Sequence, residues 1–526
     1  AQLARDAGYD GVEIMGSEGY LINQFVAQRT NHRRDRWGGN LENRLRFPVE
    51  IVRRTRAALG EDFILIYRLS MLDLVEGGSD WHEVVTLGKA VEGAGATLLN
   101  TGIGWHEARI PTIATMVPRA AFTWVTRRMR EHVGIPLIAT NRINTPDAAE
   151  SVLARGDADM VSMARPFLAD AQLVRKATQG REDEINTCIA CNQACLDQIF
   201  AKQRASCLVN PRACRETELN WEPTLEPKRI AVVGAGPAGL ACATTLAQRG
   251  HRITLFEAAE RIGGQFNMAK RIPGKEEFEE TLRYYGRQIE LYGITLRLGA
   301  EVVADQLAGE FEEVVLATGV RPRTPELAGL DHPKVCSYVD VLLHRRAVGE
   351  RVAIIGAGGI GFDVAEYLSA QRPSAGLDIS TFLEEWGIDS DYQGQGGLRD
   401  EPVAPASSGR QIWLLQRKNE RMGKRLGKTT GWVHRLELRR RGVQMISGVT
   451  YRGVDDQGLH IAVNGAIELL PVDQVVLCAG QVPNRDLAAP LREIGMRVHT
   501  IGGAEHAGEL DAKRAIDQGT RLGAAL

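Results

Sequence analysis

The stretches KRIAVVGAGPAGLACATTLAQRG (residues 228–250) and RVAIIGAGGIGFDVAEYLSA (residues 351–370) share one pattern. Each predicts a short buried strand, a turn with the spacing G-x-G-x-x-G and an apolar helix. The glycines permit a tight turn and let a pyrophosphate approach the backbone at the N-terminus of the helix. The α/β architecture therefore contains two Rossmann-like dinucleotide-binding domains, one predicted to be inserted in the other.

The first turn is predicted to bind FAD. Its three glycines are Gly234, Gly236 and Gly239. Glu257 ends the following strand, where a carboxylate can accept a hydrogen bond from a ribose 2′-hydroxyl. The stretch ERIGGQF (residues 260–266) adds Gly264 and Gln265, which suit a second close approach to a flavin. Strands ending in ATG (317–319) and CAGQVPN (478–484) are typical of two-domain flavin reductases.

The second turn is predicted to bind NADPH. Its glycines are Gly356, Gly358 and Gly361. The next strand is delayed to QIWLLQRKNER (411–421), behind a Gly-, Ser- and Pro-rich stretch at 370–410 that we interpret as a long surface excursion. This strand ends in Gln416, Arg417 and Lys418, where NAD sites usually carry an acid. Cations at this position favour the 2′-phosphate of NADPH, and the alternative is a solvated basic strand end.

A cysteine run, CIACNQAC at residues 188–195, is followed by a further cysteine at 207. Short spacings let one loop place several thiolates around an iron–sulfur cube. The predicted 4Fe-4S ligands are Cys188, Cys191, Cys195 and Cys207. A structural zinc site, which usually takes two separated C-x2-C pairs, and buried free thiols are the alternatives. Cys214 is a spare candidate, and the predicted core cysteines are Cys242, Cys336 and Cys478.

Short apolar runs alternate with amphipathic helical segments up to residue 180. This alternation predicts parallel strands with helices outside. Five such units are visible, whereas a closed barrel needs about eight, so we predict the last five units of a (β/α)8 TIM barrel. The predicted division is barrel 1–180, iron–sulfur segment and linker 181–225, FAD domain 226–345 with 479–526, and NADP domain 346–478.

Catalytic groups of such barrels lie at the carboxyl ends of the strands. Arg142 and Arg165 follow the last two strands and are predicted phosphate ligands of FMN, with Arg68 at the polar edge of the flavin. For each arginine the alternative is a surface ion pair. Tyr20 and His106 follow two other strands and are predicted to deliver a proton, since an imidazole can assist transfer from a weakly acidic phenol. A buried structural tyrosine is the alternative.

Bulk composition limits the possible partners and location. Lysines and arginines (64) nearly balance aspartates and glutamates (66), which gives no sign of a nucleic-acid or membrane partner. No apolar run approaches the roughly 20 residues of a membrane helix. Clustered cysteines indicate metal binding in a reducing compartment, and the cytoplasm is the expected location. The sequence starts without Met inside an element, so we expect it to be part of a longer protein.

Several motifs resemble a known family. GYLINQF (19–25) and NHRRDRWGGNLENRLRF (31–47) are similar to the old-yellow-enzyme group of FMN barrels. With the cysteine run and the two nucleotide domains, the whole chain resembles the long iron–sulfur flavoprotein subgroup that contains trimethylamine dehydrogenase and bacterial 2,4-dienoyl-CoA reductase. The resemblance to the dienoyl-CoA reductase is close in MGSEGYLINQF (15–25), NTGIGWHEARIPTIAT (100–115), RGDADMVSMARPFLAD (155–170) and CNQACLDQIF (191–200).

The resemblance implies NADPH-dependent reduction of a 2,4-dienoyl-CoA to an enoyl-CoA in fatty-acid β-oxidation. Electrons would pass from NADPH to FAD, singly through the 4Fe-4S cluster to FMN, and then as hydride to the substrate. Tyr20, assisted by His106, would supply the proton. The implied FMN contacts are Arg68, Arg142, Ala164 and Arg165. The implied substrate contacts are Thr30, Asn31, His32, Arg33, Glu107, Ala108, Arg109 and Ile110.

The CoA phosphates could meet Arg29, Arg33 and Arg34, and a solvated helix face is the alternative. Met15 and Glu18 stand where ordinary group members carry a carbonyl-binding histidine pair, which disfavours simple enone reduction. The other candidate functions are another enoate reductase, an amine dehydrogenase, which needs an aromatic cage, and an NADPH diaphorase module. With three barrel units expected upstream, we expect the chain as written to bind FMN poorly.

Overall fold

The computed structural model describes residues 1–371, 375–399, 401–508 and 511–526. They divide into two compact units. The first unit contains residues 1–164 and the described residues of 375–404, and the second unit contains the described residues of 165–371 and 405–526. No helix in these ranges is long and apolar enough to cross a membrane.

The first unit is built on a parallel five-stranded sheet with the order β1-β2-β3-β4-β5. Its strands are β1 (Gly11–Gly16), β2 (Ile64–Leu72), β3 (Leu98–Ile103), β4 (Leu137–Ala139) and β5 (Met160–Val161). Its first helices are α1 (Gln2–Asp6), α2 (Leu21–Val26), α3 (Leu41–Leu59), α4 (Trp81–Gly93), α5 (Thr123–Met129) and α6 (Pro146–Ala154). The strand–helix alternation is therefore confirmed, and its place as the last five of eight barrel units stays a prediction.

Polar side chains fix where the longer helices of this unit begin. Asn40, Asp80 and Thr145 each accept a hydrogen bond from the backbone N–H three residues later. These bonds satisfy donors that a helix leaves without a partner in its first turn. The helices consequently start just past the strand-end loops that carry the predicted site residues.

The first half of the second unit contains the first glycine turn. Its helices are α7 (Arg165–Ala169), α8 (Leu173–Thr178), α9 (Leu196–Phe200), α10 (Pro237–Gln248), α11 (Phe266–Ala269), α12 (Phe278–Leu291), α13 (Ala304–Leu307) and α14 (Tyr338–Leu342). Its strands are β6 (Arg229–Val233), β7 (Arg252–Phe256), β8 (Thr295–Arg297), β9 (Glu313–Leu316), β10 (Val320–Pro322) and β11 (Val335–Ser337).

The rest of the chain contains the second glycine turn and the return to the first sheet. Its helices are α15 (Gly359–Ser369), α16 (Ile379–Glu385, in the first unit), α17 (Gly431–Arg440), α18 (Ala488–Glu493) and α19 (Ala512–Ala525). Its strands are β12 (Arg351–Ile355), β13 (Gln411–Gln416), β14 (Gln444–Ser447), β15 (Val449–Asp455), β16 (Gly458–Val463), β17 (Ala466–Leu470), β18 (Gln474–Leu477), β19 (Gln481–Pro483) and β20 (Arg497–Thr500).

The sheets of the second unit show how the two nucleotide folds are nested. One parallel sheet has the order β20-β9-β6-β7-β8, and the other has the order β11-β18-β12-β13-β14. The chain leaves the first sheet after β9, builds the second and returns with β20 and α19. A two-stranded ribbon (β10-β19) and an antiparallel sheet (β15-β16-β17) complete the unit. The predicted insertion of one fold in the other is confirmed, and the exact domain boundaries stay predictions.

Residues 375–399, which we call the inserted segment, do not form a surface excursion. They lie between α15 and β13 in the chain but belong to the first unit. From Phe382 onward most of the segment's large apolar side chains are buried, among them Phe382, Ile388 and Tyr392, whereas Leu377 and Ile379 at its start are exposed. The interpretation of 370–410 as an exposed loop is therefore wrong for this segment. Its apolar residues are separated by Gly and Ser residues, and for this reason the sequence did not indicate that they form part of a hydrophobic core. Residues 372–374 and 400 lie outside the described residues.

The inserted segment packs on the loop that follows β2. The backbone N–H of Leu74 donates to the Gly396 carbonyl, and that of Gly396 donates to the Ser79 carbonyl, both at 2.9 Å. The Tyr392 hydroxyl donates to the same Ser79 carbonyl, and its ring lies 5.5 Å from that of Trp81. The loop after β2 is thus held by backbone hydrogen bonds from a distant part of the chain.

Candidate active site and cofactor sites

Tyr20 and His106 meet at the carboxyl ends of β1 and β3. The Tyr20 hydroxyl lies 2.8 Å from His106 Nε2, and the two rings pack edge to face. Tyr20 is 50% exposed and its contact with His106 lies at the surface, so a ligand can reach the phenol. The structure therefore brings together the two residues that were predicted to deliver a proton.

The turn before Tyr20 has an unusual backbone. Glu18 and Gly19 both adopt positive φ angles, and Gly19 packs so closely on Trp105 that a Cβ atom would lie 3.0 Å from the indole ring. The side chain of Asn23 accepts a hydrogen bond from the Gly19 N–H at 2.9 Å. These contacts fix the direction in which Tyr20 leaves the turn.

A buried carboxylate, Asp73, connects the loops that carry the pair. It accepts hydrogen bonds from Trp105 Nε1 at 2.8 Å, from the Ser70 hydroxyl at 2.6 Å and from the Ser79 N–H at 2.7 Å. The Asn23 amide lies 3.4 Å away. Trp105 precedes His106, and Asn23 holds the turn of Tyr20. Asp73 therefore positions both halves of the pair, a role that its sequence context did not reveal.

We expect Asp73→Asn to destabilise the first unit by about 1 to 3 kcal/mol, because an amide cannot accept all of these hydrogen bonds. The orientation of Tyr20 and His106 should loosen as a result. Urea unfolding followed by tryptophan fluorescence measures the change. The matched control is Asp62→Asn, which alters an exposed carboxylate of the same unit. Equal stabilities of the two variants would contradict the positioning role.

Glu18 lies near the Tyr20–His106 pair. The sequence indicated it only as a departure from the pattern of the family. Burial raises the pKa of its carboxyl, although Arg68, Ser17 and His106 act in the opposite direction. The carboxyl thus keeps its proton to a higher pH than an exposed glutamate does. Glu18 is accordingly a second titratable group near the Tyr20–His106 pair.

Arg68 lies on β2 in a row of polar side chains across three strands. Its Nε donates to Glu13 at 2.8 Å, and the Asn100 amide donates to the other Glu13 oxygen at 2.7 Å. Both charged side chains are partly buried. Arg68 has the chemistry to face a flavin edge, and Glu13, which the sequence did not single out, holds it in place.

The predicted phosphate ligands of FMN fall into different units. Arg142 follows β4 with a positive φ of 56° and is buried, and its Nε donates to the Val117 carbonyl at 2.7 Å. Ala164 ends the first unit and is exposed. Arg165 begins the second unit, where its guanidinium donates to the Asn192 side chain at 2.5 Å. The joint phosphate role stays a prediction.

The predicted substrate residues before α3 mostly shape their own loop. The Asn31 amide donates to the carbonyls of Phe25 and Trp37, and the Thr30 hydroxyl donates to that of Gln24. Arg33 pairs with Asp35, while His32 is exposed. Asn31 is therefore a loop anchor, and the exposed His32 is better placed than Asn31 to meet a ligand.

The second predicted substrate stretch follows His106 directly. Its buried members are Ala108 and Ile110, whereas Glu107 and Arg109 are exposed. The Ala108 N–H donates to the Trp105 carbonyl at 3.0 Å, which turns the chain beside the pair. Only the exposed members have side chains that solvent or a ligand reaches.

In the second unit, the first glycine turn forms a cradle with the turn at 263–265. A Cβ atom on Gly264 would lie 3.0 Å from the Gly236 Cα, so the two backbones are nearly in contact. A Cβ on Gly239 would lie 1.9 Å from the Gly234 carbonyl oxygen. The Glu257 carboxylate accepts a hydrogen bond from the Ala235 N–H at 2.8 Å and so stabilises the glycine turn. Gln265 caps α11. This arrangement fits the pyrophosphate of FAD.

The second glycine turn has the same close backbone packing as the first, and one of its three glycines has free space beside it. A Cβ on Gly361 would lie 1.8 Å from the Gly356 carbonyl oxygen, and one on Gly356 would lie 2.3 Å from that of Cys478. Gly358, which precedes the N-terminus of α15, meets no atom within 4 Å. The space over Gly358 is where a dinucleotide pyrophosphate would approach the helix.

The space beside Gly358 and the lack of space beside Gly361 predict different outcomes for two variants. We expect Gly361→Ala to disrupt the turn itself, because the added carbon has no room. We expect Gly358→Ala to fold with normal FAD content but to raise the KM for NADPH at least tenfold, since the methyl group occupies the pyrophosphate path. Steady-state dye reduction and the flavin absorbance measure both effects. An unchanged KM in Gly358→Ala would contradict the site.

The predicted cluster ligands surround one cavity of the second unit. Cys188, Cys191, Cys195 and Cys207 line it together with Arg165, Asn192 and apolar residues. Positive φ angles at Ala190 and Asn192 fold the first three cysteines inward. The hydrogen bond from the Ser206 N–H to the Ala194 carbonyl brings Cys207 beside them. Cys214 is exposed and is absent from the lining, while the three predicted core cysteines are buried.

The four thiols are close enough to influence one another. Burial, and to a smaller extent the neighbouring Cys188, raises the pKa of Cys207 to about 12. Burial also raises the pKa of Cys195, which the Arg165 guanidinium opposes. Among the described residues, no three His, Cys, Asp or Glu side chains converge closely enough to hold a single metal ion. The sulfurs line a cavity wall, an arrangement whose donor set fits a cluster.

Comparison with known proteins agrees with this division. Residues 1–184 match the NADH:flavin oxidoreductase / NADH oxidase family, and residues 228–510 match the pyridine nucleotide-disulphide oxidoreductase family. A metal reductase of Desulforamulus reducens is 35% identical over 94% of this chain and 73% of the relative. An NADH oxidase of Thermoanaerobacter brockii is 32% identical over 97% of this chain and 74% of the relative.

A solved structure of a 2-naphthoyl-CoA reductase in complex with 2-naphthoyl-CoA is also similar. Its TM-score is 0.89 at 30% identity, over 99% of this chain and 74% of that chain. The relatives match across both units of this chain. The chain therefore belongs to the flavin oxidoreductases that join an NADH:flavin oxidoreductase / NADH oxidase region to a pyridine nucleotide-disulphide oxidoreductase domain.

Proposed function

We propose that this protein is an NADPH-dependent reductase of 2,4-dienoyl-CoA thioesters that forms an enoyl-CoA in cytoplasmic fatty-acid β-oxidation. The observation that carries the proposal is the hydrogen-bonded Tyr20–His106 pair at the exposed strand ends. A conjugated thioester that accepts hydride becomes carbanionic and then needs a proton. A phenol held by an imidazole is a suitable donor.

The residues of the chain would divide the work by position. FAD would lie on the Gly234–Gly239 turn, NADPH on the Gly356–Gly361 turn, a 4Fe-4S cluster in the cysteine cavity, and FMN against Arg68, Arg142 and Ala164 of the first unit. When bound, these groups supply hydride transfer and single-electron transfer. Tyr20 would give its phenolic proton to the substrate carbon, and His106 Nε2 would orient the phenol and assist its reprotonation. Glu18 would hold a further proton close by.

The thioester part of the proposal rests on two observations. The structurally similar 2-naphthoyl-CoA reductase was solved with a CoA thioester. In this chain, His32 and Arg34 are exposed on the loop before α3, where their polar side chains can meet CoA phosphates. Arg29 donates to the Glu76 carbonyl and Arg33 pairs with Asp35, so these two are less available than we expected.

An amine dehydrogenase is less consistent with the site. Such an enzyme needs open aromatic faces around a cation. Trp105 is buried, and its Nε1 is bonded to Asp73. Another enoate reductase would use the same proton donor, and the choice between acids and CoA thioesters has to come from substrate tests.

The test is anaerobic turnover with three candidate substrates at equal concentration: 2,4-hexadienoyl-CoA and cinnamate with the NADPH-reduced enzyme, and trimethylamine in a separate arm. Trimethylamine is a donor, so its arm uses the oxidised enzyme with a dye. We expect NADPH consumption that matches loss of the dienoyl-CoA absorbance, and little reaction with the other two compounds. Turnover of cinnamate alone would replace the proposal with a free-acid reductase. Reaction with trimethylamine alone would overturn it.

A further inference from the structure

A pocket near the end of β13 has a lining that neither the family match nor the glycine turns explain. We call it the arginine pocket. Its walls are Asn419, Glu420, Arg421, Met422, Arg435, Arg439, Val443, Met445 and Ser447. Three arginines and one glutamate therefore line a common space.

The positive charge of the arginine pocket is poorly compensated. Within the described ranges, neither Arg421 nor Arg439 forms an ion pair. Arg435 donates to the Gly423 carbonyl at 3.0 Å, which leaves its charge without a counter-ion. The Glu420 carboxylate accepts a hydrogen bond from Lys424 at 3.2 Å. Burial, together with Arg421 and Arg439, lowers the pKa of Arg435, as expected for adjacent cations.

The pocket adjoins the second glycine turn. The Gly356 N–H donates to the carbonyl of Leu415 on β13 at 3.0 Å. The next residue, Gln416, lies opposite Ser447 of the pocket in the β13–β14 register. The Gln416 amide also donates to the carbonyls of Lys418 and Glu420, which bends the chain toward the pocket. In a Rossmann fold the adenosine ribose lies at the end of this second strand.

We propose that the arginine pocket binds a phosphate monoester, the 2′-phosphate of NADPH, and that Arg421, Arg435 and Arg439 select NADPH over NADH. The inference deepens the proposed function, because it rests on NADPH being the donor. One guanidinium group can donate two hydrogen bonds to two phosphate oxygens, and three guanidinium groups carry enough positive charge to balance a phosphate dianion. Arg417 and Lys418, to which the sequence pointed, are exposed at the strand end and outside the lining.

The test compares three double variants of the flavin-loaded enzyme: Arg421→Gln/Arg439→Gln for the pocket, Arg417→Gln/Lys418→Gln for the strand end, and Arg425→Gln/Lys428→Gln, two exposed residues outside the lining, as the control. Each removes two positive charges from the same region. The readout is kcat/KM for NADPH and for NADH with ferricyanide as acceptor. We expect the pocket variant to lose about 10- to 100-fold with NADPH and to keep its NADH value, while the control keeps both values.

Two further measurements test whether the pocket binds the 2′-phosphate of a nucleotide or free phosphate. Calorimetric titration with 2′,5′-ADP should show binding that the pocket variant loses, and inorganic phosphate should compete with it. An unchanged NADPH/NADH ratio in the pocket variant, or a loss confined to the strand-end variant, would overturn the proposal. The single variant Arg439→Gln, which alters an exposed side chain, serves if the double variant misfolds. Dye reduction needs no dienoyl-CoA, so failure of the proposed function would not alter these ratios.

Discussion

Replacement of Tyr20 by phenylalanine is expected to slow dienoyl-CoA reduction by about 100- to 10,000-fold, the range that removal of a positioned general acid produces. The phenylalanine ring keeps the edge-to-face packing on His106 but removes the hydroxyl that lies 2.8 Å from Nε2. Hydride transfer to the substrate could then proceed only with a proton from solvent or Glu18. Stopped-flow reoxidation of the NADPH-reduced enzyme by 2,4-hexadienoyl-CoA measures the loss.

The same variant should keep its full rate of NADPH-driven dye reduction, because that reaction needs no proton donor in the first unit. Tyr9→Phe is the matched control, since Tyr9 is an exposed tyrosine of the same unit. We expect it to match the unchanged protein in both assays. A Tyr20→Phe enzyme that reduces dienoyl-CoA at the original rate would remove Tyr20 from the mechanism.

Replacement of one cavity cysteine should abolish one activity of the protein, the reduction of dienoyl-CoA, and leave the other, the reduction of a dye by NADPH. We expect Cys191→Ala to lose the iron and acid-labile sulfide of the protein, about four atoms of each per chain for a 4Fe-4S cluster. The proposed reduction of dienoyl-CoA by NADPH should be abolished, because the proposed function passes single electrons through this cluster. Dye reduction at the FAD domain should remain. Metal analysis by mass spectrometry and the visible absorbance of the cluster are the readouts.

The cysteine test has a control within the same segment. Cys214→Ala changes an exposed thiol outside the cavity lining and should leave the iron content unaltered. Zinc in place of iron in the purified protein would contradict the cluster. Equal iron content in Cys191→Ala and the unchanged protein would show that Cys191 is no ligand.

Features that depend on neighbouring residues were predictable from the sequence. The turns at Gly234 and Gly356 follow from local steric limits, so a spacing of three glycines specifies them. The first three cysteines are also local, since a short loop must bring them together. Tyr20 and His106 are distant in sequence, and their meeting was predicted because parallel strands end at the same edge of a sheet.

Features that depend on distant contacts were not predictable in the same way. Asp73 is an ordinary loop aspartate until Trp105 and Ser79 converge on it in the folded unit. The Asn31 amide was expected at the substrate, but it bonds to carbonyls on both sides of its loop. The arginines at 421, 435 and 439 come from a loop and a helix, and no spacing in the sequence signals that they share a pocket.

The inserted segment has a consequence for synthesis on the ribosome. Domains generally fold as they emerge, beginning with the N-terminal one. Here the loop after β2 takes its backbone partners from Gly396, which is translated after α15 of the second unit. The nascent first unit therefore has to wait, with part of its apolar surface uncovered, until most of the chain has left the exit tunnel. Pulse-labelled proteolysis of stalled chains should show protection of this unit only once residue 399 is exposed.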